Sequence, residues 1–545
     1  MNLEPTLSLR KNPFTITPTK PAKKNRRNIS NSNQEKNQNR YEELFNIILI
    51  TSLLNLLIYI ISASFIKYDL SADELYYLAC ANRLDFGYVD FPPLSVWILG
   101  VWKFVSGDSI FVLRLLPAII SSATVVMIGL FTAKLGGRKN SVLIAMITFM
   151  LSPVFLGASS IYSLNVFDFF FWILTAYIYL LIIQSGKTKL WYTLGIVIGL
   201  GLLNSTSVVW LVAGLLIGTV LSPAREDLKT KNPYIALGIA TLLFLPYIIW
   251  NFTNNFVHIQ FIRDVASGKS GSMAAASSII DLIIILNPVS VLIWGPGILF
   301  IMFNWKMRKY RAFGYIWLVT FAAIFFNWHS RIEYVAPSFQ ILFASGSLMI
   351  VKWNARHSRL KYALVVPVVV LGIILAPLTH PFLPINNLVD YQSLLHIKSS
   401  VNDKNGIEGL SRYCIRMIGW NSMAGKISEV YLSLSEDERS NTLIYCPTYG
   451  EAGAIEYYSD QFKLPGAICS QNNFWYWWNE KREPTTMIFM GGNIKEYLDY
   501  FETVEVAGYY KSEYSLPYGY NPTIFICRGF KGSFENIRLK DKTFI

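Results

Sequence analysis

The chain has 545 residues, 53% of them hydrophobic and only 15% charged, where a soluble domain carries about 25% charge. A mean hydropathy of +0.37 with 15% aromatic residues excludes a disordered chain, a coiled coil and a typical cytosolic enzyme, and indicates a polytopic membrane protein. The net charge of +13 has to be judged by where the cations lie, and five scattered cysteines without a CxxC pair make no disulfide scaffold.

Residues 1–44 carry Arg10, Lys11, Lys20, Lys23, Lys24, Arg26, Arg27, Lys36 and Arg40 against few acids. With almost nothing to bury, this basic arm is expected to be disordered. The first apolar stretch begins only near Phe45, so no secretory signal peptide is expected. Nucleic-acid binding is the alternative for such an arm. The positive-inside rule reads it instead as a cytoplasmic topology anchor, and no nucleic-acid partner is expected.

Apolar segments of roughly bilayer length follow near 45–66, 110–133, 141–157, 166–184, 190–203, 206–221, 233–250, 279–303, 312–327, 335–351 and 362–379. The two segments flanking Asn204 are short enough to be one broken span. Cations recur in alternate connections: Lys134, Arg138 and Lys139; Lys187 and Lys189; Arg225, Lys229 and Lys231; Lys306, Arg308, Lys309 and Arg311; Lys352, Arg356, Arg359 and Lys361. The fold class expected is a polytopic α-helical membrane protein of about eleven transmembrane helices, N-terminus inside and C-terminus outside. Residues 45–379 form its membrane domain in the plasma (inner) membrane. Loop 67–109, the loops near 158–165 and 328–334, and loop 251–278 then face outward, with the tail from His380.

Residues 380–545 read as a soluble external α/β domain: helix Ser422–Leu434, strand Thr442–Cys446, helix Ala452–Ser459, strand Thr486–Met490, helix Ile494–Phe501 and strand Thr523–Cys527. Gly450, Gly491 and Gly492 follow strands, but no GxGxxG or GxxxxGK[ST] occurs, so no nucleotide site is expected. All five cysteines fall on the outward side, where a disulfide is chemically allowed. Unpaired buried thiols are equally compatible with the sequence.

The residues able to do chemistry cluster in outward loops. Asp73 and Glu74 come a few residues after the first span, Asp90 precedes Pro92-Pro93, and Arg114 lies inside the outer end of the next helix. An ionised side chain at that depth usually faces a cavity. Adjacent helical side chains diverge by about 100°, so Asp73 and Glu74 cannot easily act on the same group. One faces a substrate while the other braces the loop. A solvated interfacial pair is the plainer alternative. In SSIYSLNVFDFFFW, Asn165 and Asp168 are three apart and share a helix face, unless Asn165 is a helix cap. FFNWHSRIEYVAPS supplies His329, Arg331, Glu333 and Tyr334 between two apolar segments. Arginine's planar fork suits a phosphate, and a lipid headgroup would serve Arg331 or Arg114 as well. His329 and Glu333 are four apart but HEXXH is absent, so no metal ligands and no cofactor are assigned, and the sequence leaves metal dependence open.

The run SADELYYLACANRLDFGYVDFPPLSVWI resembles the first external loop of the glycosyltransferase family 39 type. These are GT-C fold membrane enzymes related to dolichyl-phosphate-mannose–protein mannosyltransferases and bacterial aminoarabinose transferases. SGDSIFVLRLLP and YSLNVFD resemble further family elements, and the resemblance continues through WNFTNNFVHIQFIRDV and LNPVSVLIWGPG. In the tail it includes YGEAGAIEYY, LPGAICSQNNFWYW and PYGYNPTIFICRG. Two departures are Phe91, where many relatives have His, and Arg331, which stands in for the family's Lys.

The resemblance implies transfer of a sugar from a polyprenyl-phosphate donor to a lipid, glycan or protein acceptor at the outer face. Asp73 is then the general base, and Glu74 shapes the site or holds the acceptor. Asn165 and Asp168 orient the second loop against the sugar. Arg114 and Arg331, with Tyr334 beside it, meet the phosphate. Asp90 contacts substrate, and the sequence also leaves it open as the covalent nucleophile of a retaining mechanism; inversion by single displacement is the expectation. A transporter or flippase of lipid-linked saccharides is the alternative. It would require mid-span polar residues and repeated halves, and neither is evident. A scaffold whose tail binds glycan or protein is a second rival.

Overall fold

The computed structural model describes residues 23–65, 68–266, 275–326, 332–353, 360–396, 414, 416–478, 484–511, 522–532 and 542–544. Two units are distinguished, Met1–Asn46 and Ile47–Ile545. Helix α1 (Lys23–Phe65) begins within the first, well ahead of the apolar stretch, so residues 23–44 are helical where composition alone indicated disorder. Lys, Arg, Gln and Glu are good helix formers, and extending an existing helix avoids the cost of nucleating one.

The second unit is built on apolar helices. After α2 (Ala72–Ala81) and α3 (Leu94–Ser106) come α4 (Ile110–Lys134), α5 (Lys139–Met150), α6 (Pro153–Ala158), α7 (Leu164–Ser185), α8 (Lys189–Asn204) and α9 (Val208–Val220). They are followed by α10 (Asn232–Thr253), α11 (Val257–Ala266), α12 (Ala275–Ile285), α13 (Val291–Phe303), α14 (Arg311–Phe326), α15 (Ala336–Trp353), α16 (Leu360–Thr379) and α17 (Ile385–Leu394). Each apolar segment expected from the sequence becomes helical.

The polytopic helical class is as expected, and the individual helices are shorter and more bent than hydropathy alone suggests. Among the described residues, four helices are long and apolar enough to cross a bilayer, six if two sharply bent pairs are counted as single spans. The expected span 141–157 breaks at Ser152-Pro153 into α5 and α6. The span 279–303 bends by 98° at Asn287, which has φ +70 and precedes Pro288. α5 has 12 residues, a length of about 18 Å at 1.5 Å per residue, against a hydrocarbon core of about 30 Å. Proline and the left-handed Asn287 therefore divide what hydropathy alone joins.

α7 is the central helix: 72% of its apolar window is buried, against 28% for the peripheral α10. Small residues set the closest crossings, as expected where lipid provides no hydrophobic drive between helices. α13 and α15 meet at Gly297 and Gly346, where a side-chain carbon on either glycine would overlap the facing backbone, at Gly346 the Ile293 carbonyl.

The C-terminal tail carries a five-stranded mixed sheet of order β2-β1-β3-β5-β4, formed by β1 (Thr442–Tyr445), β2 (Ala467–Ile468), β3 (Thr486–Met490), β4 (Phe501–Tyr509) and β5 (Thr523–Phe530). β1 pairs in parallel with β2 and β3, whereas β5 lies antiparallel between β3 and β4. The expected helix over 494–501 ends at Leu498, and β4 begins at Phe501. Most of this edge strand's side chains are not buried, so it lacks the apolar alternation that would announce it. Leu443, Tyr445, Met487, Phe489, Phe501, Phe525 and Cys527 fill one face of the sheet. All five cysteines are buried free thiols.

Gly346→Leu should be destabilising by at least about 1–3 kcal/mol, the usual cost of overpacking. Thermal unfolding of the detergent-solubilised protein checks this, and an unchanged midpoint would show that the α13–α15 crossing is not tight.

Candidate active site

Ser71 starts α2 as a side-chain cap. Its hydroxyl accepts from the Asp73 amide at 3.2 Å, and Glu74 accepts in turn from the Ser71 amide at 2.7 Å, closing a capping box. Glu74 does more than cap. Its carboxylate has no exposed surface and accepts from Arg114 Nη2 at 3.0 Å, Arg114 Nε at 3.3 Å and the Tyr162 amide at 3.0 Å. Arg114 also donates to the Asp69 carbonyl at 2.7 Å. This buried pair ties the heads of α2 and α4 to the turn before α7. The resemblance assigned Arg114 to a phosphate, whereas here its guanidinium is enclosed against Glu74 with 5% of the side chain exposed.

Asp73 points elsewhere, as neighbours on a helix must. Its carboxylate is 36% exposed and meets the C-terminal tail. Tyr449 Oη donates to Oδ1 at 2.9 Å, and Arg416 lies 3.2 Å from Oδ1 and 3.5 Å from Oδ2. Arg416 Nη2 also donates to Tyr449 Oη at 2.6 Å. The tail can approach this closely because Gly450 and Gly453 rest on Ala72 and Leu75 of α2, with no room for larger side chains.

Asp90 lies nearby and is half-buried. Tyr76 Oη donates to its Oδ1 at 2.9 Å and Asn472 Nδ2 to its Oδ2 at 3.4 Å. Desolvation pushes its carboxyl up to about 7; the Tyr76 hydrogen bond opposes the rise and the charge of Asp73 adds to it. Asn473 holds the loop from the other side, its Oδ1 accepting from the Val89 amide at 2.7 Å and from Tyr76 Oη at 3.3 Å. Phe91 stacks on Tyr77 with ring centroids 4.7 Å apart. Tyr77 Oη in turn accepts from the Leu164 amide at 3.1 Å, joining this loop to the start of α7.

The second-loop pair is separated in role. Ser163 is the N-terminal boundary residue of α7, so Asn165 lies within the helix and is not its cap; it is half-buried. Asp168 is buried and accepts from Ser207 Oγ at 2.9 and 2.7 Å, which braces α7 against the start of α9. In the third group, Arg331 and His329 lie outside the described residues, and Tyr334 is 44% exposed. Among the described residues no cluster of three or more His, Cys, Asp or Glu side chains is arranged to hold a metal.

Sequence reasoning missed Arg416, Tyr449, Asn472 and Asn473. YGEAGAIEYY and the stretch containing QNNFWYW carried a resemblance signal, but nothing local showed that these segments fold back onto Asp73 and Asp90. His258 was missed too: it is buried, with Nδ1 3.0 Å from the Val89 carbonyl.

Residues 90–250 match the family described as dolichyl-phosphate-mannose-protein mannosyltransferase. That segment includes Asp90, Arg114, Asn165 and Asp168; Asp73 and Glu74 precede it. Lipid A galacturonosyltransferase RgtD from Rhizobium johnstonii is 26% identical over 214 residues, 38% of this chain and 44% of that relative's length. Among solved structures, ArnT from Cupriavidus metallidurans bound to undecaprenyl phosphate aligns with a TM-score of 0.58 at 10% identity, covering 88% of this chain and 97% of ArnT. Its apo form gives 0.57 at 10% identity, covering 88% and 98%. This likeness establishes the fold: the chain is a polytopic helical membrane protein with ArnT-like architecture.

Glu74→Gln leaves Arg114 buried against a neutral partner and should cost about 3–5 kcal/mol, read as a lowered unfolding midpoint; an unchanged midpoint would contradict the burial of the pair. Asp90, with its folded pKa raised above an unfolded value of about 3.9, contributes stability that is full below about pH 4 and lost as pH rises through about 7. Relative to Asp90→Asn, the unaltered chain should therefore lose stability across that interval, which parallel thermal unfolding measures. A constant difference between the two would show that the carboxyl is not desolvated.

Proposed function

We propose that this chain transfers a sugar from a polyprenyl-phosphate carrier to an acceptor at the outer face of the membrane. Inversion occurs at the anomeric carbon, and Asp73 is the general base. The observation that carries the reading is the position of Asp73: a partly exposed carboxylate on the first turn of α2, a few residues beyond the apolar part of α1, facing tail residues that close over it. The family match over residues 90–250, the ArnT-like fold and the undecaprenyl phosphate named for one ArnT structure support a lipid-linked donor.

The acceptor hydroxyl gives its proton to the Asp73 carboxylate as its oxygen attacks C1. The bond from C1 to the phosphate oxygen breaks, and the departing phosphate takes the electron pair, a charge that nearby cations stabilise. Glu74 acts through position, holding the turn that presents Asp73. Asp90 and Asn165 contact the substrates, and Asp168 fixes the second loop through Ser207. By the resemblance, Arg331, with Tyr334 beside it in sequence, would meet the donor's phosphate. The acceptor class is a lipid, a glycan or a protein.

Asp73→Asn should lower transfer by about 10²–10⁴-fold, the usual worth of a general base. Membrane insertion and the unfolding midpoint should stay as in the unaltered chain. Transfer assayed in membranes with labelled polyprenyl-phosphate sugars measures this; full activity in the variant would reject Asp73 as the base.

A further inference from the structure

Beside Asp73 lies an arginine that comes from neither of the loops expected to supply a phosphate ligand. Arg416 belongs to the tail segment before the helix Trp420–Ser433. Its backbone is pinned to the head of α2: the Arg416 carbonyl accepts from the Ala72 amide at 3.2 Å and from Trp420 Nε1 at 3.0 Å, while the Trp420 amide donates to Asp69 Oδ2 at 3.1 Å. Its side chain keeps 27% of its surface exposed and bridges Tyr449 and Asp73. The other arginines of this region are engaged differently. Arg114 is enclosed with Glu74. Arg83 pairs with Glu456 at 2.7 Å and lies over the Trp477 ring. At Arg416, a phosphate oxygen can replace a carboxylate oxygen without uncovering a buried charge, because the 3.2 and 3.5 Å contacts to Asp73 are long and partly solvated.

We propose that Arg416 is a ligand of the donor's phosphate, supplied by the C-terminal tail. Donor binding exchanges the Arg416–Asp73 contact for an Arg416–phosphate contact and frees Asp73 for the acceptor. The inference rests on the donor reading above and deepens it. While the donor site is empty, Arg416 occupies the carboxylate; once phosphate arrives, the same guanidinium faces the oxygen that will carry the leaving group's charge. The acceptor's proton then passes to Asp73, and the electron pair of the broken C1–O bond goes to the phosphate oxygen beside Arg416. Substituting the side chain leaves the backbone contacts at 416 in place.

The test is binding of undecaprenyl phosphate to the full-length protein in detergent, by titration calorimetry, with unfolding midpoints measured in parallel. Arg416→Gln should weaken binding by about 10–100-fold, as expected for a lost hydrogen bond to a charged group. Arg416→Lys, a point charge without the planar fork, should weaken it less. Asp73→Asn, which removes the competing carboxylate, should bind more tightly than the unaltered chain while losing transfer. An arginine with a merely structural role would lower the midpoint and leave the affinity of the folded protein unchanged. Unaltered affinity in a folded Arg416→Gln overturns the proposal. Should Arg416→Gln fail to fold, unaltered affinity in Arg416→Lys together with no tightening in Asp73→Asn overturns it. No binding by the unaltered chain would instead overturn the donor reading, and this inference with it.

Discussion

Glu74 accepts four hydrogen bonds with no surface exposed, two from Arg114 and one each from the amides of Ser71 and Tyr162. A buried ion pair is poorly solvated unless its remaining lone pairs are satisfied, and here backbone donors from two separate segments satisfy them. The consequence is geometric. With Glu74 turned into the protein, helical periodicity turns Asp73 out of it, so the capping box that starts α2 also aims the neighbouring carboxylate. The rest of the site is assembled against that fixed direction.

The tail completes the surroundings of Asp73. Two glycines let its helix Tyr449–Tyr457 lie directly on α2, which brings Tyr449 and Arg416 to one carboxylate, while Asn472 and Asn473 approach the loop around Asp90. The two acids thus sit in different settings: Asp73 is partly open and paired with a cation, whereas Asp90 is desolvated and held by neutral donors from Tyr76 and Asn472. Their proximity raises the carboxyl of Asp90 further.

The membrane helices serve the same end by being irregular. Breaks at Ser152-Pro153 and Asn287-Pro288 leave short helices, and one of them, α6, meets α7 where Phe155 packs edge-on against Phe169 with ring centroids 4.8 Å apart. Ser207 at the head of α9 reaches Asp168 on that central helix, and Tyr77 of α2 meets its first turn. The loop bearing the acids is therefore fastened to a well-enclosed part of the bundle, which limits how far Asp73 can wander.

Much of this was legible in the sequence. Hydropathy located the apolar helices, because burial in lipid demands apolar residues over a defined length. The motifs around Asp73 carried the family resemblance that residues 90–250 also match, and helical periodicity alone separated Asp73 from Glu74. Proline and asparagine breaks were harder to read, since a window averaging hydropathy does not register a single residue's φ. Strand β4 was missed, its first residue Phe501 falling in the expected helix, because its pairing is made by backbone atoms while its side chains stay largely uncovered. Hardest of all was the meeting of Arg416 with Asp73, 343 residues apart. No local pattern encodes a contact at that distance; it exists only once the tail has folded, two glycines have let it settle on α2, and the closing of so long a loop has been offset by the packing it permits.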